Sequence, residues 1–216
     1  TKKGQQVNAR IASSFISLDQ AYTNLKELGN EDFDTIKSKA QSQWDQILGR
    51  IRVEGGTNEQ YRTFYSCLYR SVLFPRKFYE IDEKGKIFHY SPYNGKVLPG
   101  YMYTDTGLWD TFRSLFPLLN LVYPSVNEEI QQGFVNTALE SGFLPEWASP
   151  GHRDCMIGNN SASVVTDAAM KGLSGQDLEI LYKALVHGTE NVYPGVNSTG
   201  RLGHEYYNIL GYIPYD

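Results

Sequence analysis

The amino-acid sequence predicts a mainly α-helical protein with a short β and linker segment at its N-terminus. Three observations favour this fold class. Apolar residues recur at helical spacing in six segments between residues 31 and 188, Pro and Gly separate the segments, and several begin with a capping signal. Six helices joined by loops rich in aromatic and polar residues fit an array of antiparallel helix pairs.

Residues 1–30 are interpreted as the end of a β domain followed by a helical linker. Apolar and polar residues alternate at the start of segment 7–17, which predicts a strand. A strand is not stable without partners, so this one would belong to a sheet formed elsewhere. Segment 18–30 has apolar residues near helical spacing and predicts the linker helix. Since the chain begins with Thr1 rather than Met, we expect a longer polypeptide.

Residues 31–216 are interpreted as the first part of a helical domain. The first two helices are predicted over residues 33–51 and 61–72, and the Thr57–Gln60 segment has the pattern of a capping box. A β-hairpin is predicted over residues 77–91, with its turn at a glycine, and a loop follows it.

Helical periodicity resumes after this hairpin. It predicts four more helices, over residues 108–119, 126–139, 162–169 and 178–185. Segment 125–128 (SVNE) is interpreted as a second capping box.

Composition and charge exclude some classes of function. The chain has 216 residues and a net charge of −4, with no cluster of Lys and Arg, so a nucleic-acid surface is not expected. No segment has the length and apolarity of a membrane span. Cys67 and Cys155 are the two cysteines, and two free thiols are favoured over a disulfide. The four histidines lack metal-ligand spacing.

The segment Tyr101–Arg113 (YMYTDTGLWDTFR) is the first candidate site. It is predicted to open a helix that places Trp109, Asp110 and Arg113 on one flank, because Arg113 lies three residues after Asp110 and four after Trp109. An aromatic ring can stack on a sugar, while a carboxylate and a guanidinium bind its hydroxyls. The ordinary alternative is a buried tryptophan beside an Asp–Arg surface pair.

A second segment, 141–161 (SGFLPEWASPGHRDCMIGNNS), mixes large apolar and polar residues on a loop, as binding rims do. Glu146 and Trp147 are its candidate sugar contacts, although a solvated loop acid is the ordinary alternative for Glu146. His152 is interpreted as a loop residue, with a sugar hydroxyl contact as the alternative. Asn159 is expected to cap the next helix.

Three further carboxylates complete the candidate rim. Asp105 either caps the helix that follows it or faces the site, Asp110 is the preferred hydroxyl acceptor, and Asp154 is interpreted as a loop charge.

Four segments together resemble one enzyme family. The strings ARIASSFISLDQAYTNLKEL, YTDTGLWDTFRSLFPLLNLVYP, SGFLPEWASPG and CMIGNNSASVVTDAAMKG are similar, in order and rough spacing, to signatures of the calcium-dependent exo-α-mannosidases of glycoside hydrolase family 92. The resemblance implies an N-terminal β-sandwich domain and an (α/α)6 toroid, of which this chain would supply about half.

The same resemblance implies what the protein does. It implies Ca²⁺-dependent, inverting removal of terminal α-linked mannose, with α-1,2 linkages expected, from mannosides or N-glycans outside the cytoplasm. Trp109, Asp110, Arg113, Glu146 and Trp147 would form part of the sugar-binding wall. The resemblance places the catalytic acid on the Glu of an EGN segment and the base on an Asp of a GNDD segment. Neither segment occurs in residues 1–216, so no catalytic residue or metal ligand is expected in this chain. The alternatives are a non-catalytic carbohydrate-binding module and a different (α/α)6 glycosidase.

Overall fold

The computed structural model describes residues 2–5 and 7–215, and about half of the chain is helical. The mainly α fold class is therefore confirmed. The helices of the described residues are α1 (Leu18–Lys26), α2 (Phe33–Leu48), α3 (Asn58–Ser71), α4 (Leu108–Thr111), α5 (Leu115–Val122), α6 (Pro124–Ser141), α7 (Asn160–Met170), α8 (Leu178–Glu190) and α9 (His204–Leu210).

The strands are short and form four small antiparallel sheets among the described residues. They are β1 (Arg76–Lys77), β2 (Glu80–Ile81), β3 (Ile87–Tyr90), β4 (Val97–Pro99), β5 (Tyr103–Thr104), β6 (Thr106–Gly107), β7 (Trp147–Ala148), β8 (Val192–Tyr193) and β9 (Val196–Gly200). The sheets pair β1 with β5, β2 with β3 and β4, β6 with β7, and β8 with β9.

A helix is confirmed at residues 18–26 and in five of the six main predicted segments, where α2, α3, α6, α7 and α8 form. The capping box at Thr57 and Gln60 is also confirmed, because each side chain accepts a hydrogen bond from the other residue's backbone N–H. The predicted 77–91 hairpin is also present and gains β4 as a third strand. The buried core lies mainly between α5, α6, α7 and α8, where Phe116, Ile130 and Leu181 are nearly fully buried.

The predicted strand within residues 7–17 is wrong. This segment pairs with no strand among the described residues, and the side chains of Val7 and Ile11 are 67% and 88% exposed. Instead, Glu80 on β2 holds the segment, because its carboxylate accepts hydrogen bonds from Ser14 Oγ at 2.9 Å and Phe15 N at 2.7 Å.

The single helix predicted over residues 108–119 is wrong, because two shorter helices occupy this segment. Residues 103–107 form β5 and β6, α4 is a single turn, and the chain leaves helical geometry at Ser114 before α5 begins. The two strands form here because β5 pairs with β1 and β6 pairs with β7. Asp105 lies between them in the left-handed region, with φ of 60°.

Two predicted caps are also wrong. Helix α6 begins at Pro124 without a side-chain cap, and Glu128 instead accepts hydrogen bonds from the backbone N–H and hydroxyl of Ser174. Helix α7 follows Asn159, whose side chain makes no capping bond. The carboxylate of Glu146 binds the start of α7 instead.

Both cysteines are free, as predicted, and both are exposed. No helix in the described part of the chain combines the length and apolarity needed to cross a bilayer.

Candidate sugar-binding site

The pairing of β6 with β7 brings the two candidate segments together. Gly107 lies opposite Trp147 in this pair. A Cβ atom on Gly107 would lie 2.2 Å from Cζ3 of Trp147 and 3.0 Å from Oδ2 of Asp110. The indole ring of Trp147 and the carboxylate of Asp110 therefore flank one point on the backbone.

Helix α4 and the turn after it supply the other aromatic and cationic groups. Trp109 is 42% exposed, and the guanidinium carbon of Arg113 lies 5.3 Å from the centroid of its ring. Arg113 also lies 4.7 Å from the ring of Phe112. These contacts hold the cation over aromatic faces while the side chain stays exposed, so its hydrogen-bond donors remain accessible.

This arrangement differs from a buried tryptophan beside an Asp–Arg surface pair. Trp109 is substantially exposed, and Asp110 and Arg113 form no ion pair within the described residues. An exposed ring, an accessible carboxylate and an accessible guanidinium are groups that stack on and hydrogen-bond a polyhydroxylated ligand.

Glu146 is not a solvated loop acid, because it is only 1% exposed. One carboxylate oxygen accepts hydrogen bonds from N and Nδ2 of Asn160, at 2.8 and 3.3 Å, and the other from N and Oγ of Ser161, at 3.2 and 2.8 Å. Burial raises the pKa of Glu146 to about 7, while these hydrogen bonds oppose the rise. Its predicted contact with sugar remains a prediction.

Two of the other rim carboxylates, Asp105 and Asp154, accept hydrogen bonds from other parts of the chain. Asp105 does not cap α4, whose N-cap is Gly107, but accepts a hydrogen bond from Nε of Arg76 at 2.7 Å. Asp154 is exposed, as predicted, and accepts a hydrogen bond from the backbone N–H of Ser198 at 2.9 Å. Among the four candidate carboxylates, Asp110 alone has no hydrogen-bond or ion-pair partner in the described part of the chain.

His152 packs more tightly than a plain loop residue. Its ring lies 4.7 Å from that of Tyr93 and 4.5 Å from that of Tyr193, and its Nε2 is 3.0 Å from Oγ of Ser141. Burial lowers the pKa of His152 to about 4. The residue is therefore neutral at physiological pH, with a structural role among aromatic rings.

The site does not contain the full machinery for glycoside hydrolysis. That reaction needs two carboxyl groups flanking the scissile bond, and only Asp110 is accessible here without a partner. No group of three or more His, Cys, Asp or Glu side chains suited to a metal occurs among residues 2–5 and 7–215. The described residues therefore supply no cluster of carboxylates of the kind that commonly holds Ca²⁺.

Sequence reasoning missed two features of the site. Gly107 gives the indole ring room to approach the backbone, and Glu146 joins the loop to α7. A glycine immediately before the predicted helix was a signal for the first feature. Nothing local indicated the second, because Asn160 and Ser161 lie 14 and 15 residues further along the chain.

Several known proteins are similar to this chain in sequence and fold. Residues 20–216 match the glycosyl hydrolase family 92 catalytic domain. An inverting mannosidase of this family from Bacteroides thetaiotaomicron VPI-5482 superposes with a TM-score of 0.91 at 55% identity, over 94% of this chain and 28% of that one. A family 92 α-mannosidase from Bacteroides thetaiotaomicron gives a TM-score of 0.80 at 28% identity, over 94% and 27% of the two chains.

A further relative is also a glycosidase by name. An uncharacterized secreted glycosidase of Arthroderma benhamiae is 29% identical over 218 residues, which cover 97% of this chain and 23% of that protein. The chain thus spans about a quarter of the length of the relatives it matches. The match over residues 20–216 shows that this chain belongs to glycosyl hydrolase family 92, a family of glycosidases that includes mannosidases.

Proposed function

We propose that this chain forms part of the sugar-binding wall of an exo-α-mannosidase. The observation that carries the proposal is the joint placement of Trp147 and Asp110 around Gly107, with Trp109 and Arg113 on the adjoining helix and turn. In this arrangement a ring of Trp109 or Trp147 stacks on the apolar face of mannose, and Asp110 and Arg113 bind its hydroxyls.

The catalytic acid and base are proposed to lie outside residues 1–216. Three of the four candidate carboxylates accept hydrogen bonds from other described residues, which leaves Asp110 as the one candidate carboxylate that is free to bind a ligand. These relatives are more than three times as long as this chain, so they have ample sequence for both catalytic groups. The proposed architecture of the whole domain is an (α/α)6 toroid that follows a β domain and the linker helix α1.

The proposed reaction is hydrolysis of a terminal α-mannosyl residue with inversion. A family 92 relative at 55% identity is itself an inverting mannosidase, and another family member has been solved with mannoimidazole. Preference for α-1,2 linkages, action on N-glycans and a location outside the cytoplasm are parts of the same proposal. The name of the Arthroderma benhamiae relative, a secreted glycosidase, supports the location.

A requirement for Ca²⁺ is also proposed, with ligands from outside the described part of this chain, since no suitable cluster occurs within it. The ion would supply a hard Lewis acid that binds sugar hydroxyls. Asp110 and Arg113 would orient the same sugar, which makes them binding rather than acid or base residues.

Proton NMR of the first sugar released tests the proposal. The complete protein is incubated with an α-mannoside, with and without EDTA, and the anomeric signals are followed before mutarotation. We expect β-mannose to appear first and EDTA to abolish turnover. Initial release of α-mannose would refute inversion, and full activity in EDTA would refute the calcium requirement. If no α-mannoside is cleaved, a non-catalytic carbohydrate-binding module replaces the proposed enzyme.

A further inference from the structure

Glu146 connects two helix N-termini that meet at the candidate site. Its backbone carbonyl accepts a hydrogen bond of 2.9 Å from the N–H of Leu108, the first residue of α4. Its carboxylate accepts from the first two backbone N–H groups of α7, at Asn160 and Ser161. The next residue is Trp147, whose ring packs on Gly107. A single residue therefore joins α4, β7 and α7.

The environment of Glu146 leaves no capacity for a sugar. The residue is 1% exposed, and each carboxylate oxygen already accepts two hydrogen bonds. The N–H groups at the start of a helix lack partners within the helix, and a carboxylate can accept from them at both of its oxygens, whereas an amide can accept at only one.

We propose that Glu146 is a positioning residue for mannoside binding: by anchoring the start of α7 to the start of α4, it fixes the indole of Trp147 beside Asp110. This inference rests on the proposed function, because it concerns the same sugar-binding wall. It replaces direct sugar contact as the role of Glu146. The contact of Trp147 with Gly107 transmits any movement of the 146–147 backbone to the site, since no space separates the ring from the glycine.

Replacement by glutamine should weaken this anchor without removing the side chain. The amide keeps one carbonyl oxygen for one pair of donors, but its NH2 group faces the other pair. The hydroxyl of Ser161 can turn to accept from that NH2 group, whereas the backbone N–H of Ser161 loses its acceptor. Glu146→Gln should therefore be milder than Glu146→Ala, which removes all four hydrogen bonds.

Asp177→Asn provides a matched control. Asp177 also caps a helix, because its carboxylate accepts a hydrogen bond of 3.1 Å from the N–H of Ile180 at the start of α8. Asparagine keeps an oxygen that can accept this hydrogen bond but removes the negative charge, so the variant makes the same acid-to-amide change as Glu146→Gln at another helix start. The change lies outside the candidate site, so sugar binding should not change.

The experiment measures mannoimidazole affinity by calorimetry in the complete protein, at a temperature where every variant is folded. We expect the dissociation constant to rise about tenfold for Glu146→Gln and further for Glu146→Ala, and to stay at the wild-type value for Asp177→Asn. The ¹⁹F NMR signal of 5-fluorotryptophan at position 147, assigned with Trp147→Phe, should shift in the Glu146 variants alone.

Each outcome decides one question. Wild-type affinity and an unshifted Trp147 signal in Glu146→Gln would overturn the positioning role while the proposed function stands. Equal loss of affinity in Asp177→Asn would also overturn it, since general destabilisation would then suffice. If the wild-type protein binds no mannoimidazole and cleaves no α-mannoside, the proposed function fails, and the signal of Trp147 alone still decides whether Glu146 positions it.

Discussion

Substitution of Gly107 by alanine should disrupt the candidate site through one added methyl group. The backbone at Gly107 has φ of −100° and ψ of 118°, an extended conformation that any L-residue adopts. The effect of the substitution therefore comes from contacts of the side chain and not from backbone strain. Gly107→Ala is thus a direct probe of the geometry around Trp147 and Asp110.

The size of the disturbance follows from the distances. The new Cβ would lie 2.2 and 2.3 Å from two ring carbons of Trp147, whereas carbon atoms in ordinary contact are about 3.5 Å or more apart. The indole must therefore retreat by about 1.3 Å. Oδ2 of Asp110, at 3.0 Å, must move by a few tenths of an ångström. Overpacking of this kind typically costs about 1–3 kcal/mol of stability.

The assay is kcat/KM for hydrolysis of an α-mannoside by the complete protein. A misplacement of about 1 Å can reduce a rate about 100-fold, so we expect a loss of that order in Gly107→Ala. Gly188→Ala is the matched control, because its Cβ would meet Cα of Gly200 at 3.9 Å, an ordinary contact. Wild-type kcat/KM in Gly107→Ala would refute the assignment of Trp147 and Asp110 to one sugar site.

Three further predictions concern single contacts. Between pH 5 and 8 the folded protein should lose stability as Glu146 ionises, because its pKa is raised from 4.5 to about 7. The loss in the free energy of unfolding is at most about 3 kcal/mol and should be absent in Glu146→Gln. Denaturant unfolding at each pH measures it. Glu80→Gln should speed amide exchange across segment 10–26, measured by mass spectrometry, whereas Glu83→Gln, which removes only an exposed ion pair, should not. Arg113→Lys should raise KM about tenfold with little change in the unfolding midpoint, because lysine keeps the charge but lacks the planar guanidinium group. An unchanged KM would show that Arg113 does not belong to the site.

Much of the fold followed from the sequence because helical periodicity is local. The apolar stripes of α2, α3, α6 and α8 each lie within one helix, and the Thr57 capping box is formed by residues three apart. Long-range pairing caused the errors. Residues 103–107 become strands because of β1 and β7, and no pattern within the segment indicates those partners.

In the candidate site, too, only contacts between residues close in sequence could be predicted. The proximity of Trp109 and Arg113 followed from helical spacing, although α4 ends before Arg113. The burial of Glu146 could not be predicted, because it depends on the distant N-terminus of α7. Asp105 was misinterpreted for a similar reason: its partner, Arg76, lies 29 residues earlier in the chain.

A crystal structure of the complete protein with mannoimidazole would test the central claim most directly. The account predicts that a ring of Trp109 or Trp147 lies within about 4.5 Å of the sugar carbons and that an oxygen of Asp110 lies within about 3 Å of a sugar hydroxyl. It also predicts that Glu146 still binds α7 and does not touch the inhibitor. Mannoimidazole bound away from both tryptophans and Asp110 would contradict the claim that this chain forms the sugar-binding wall.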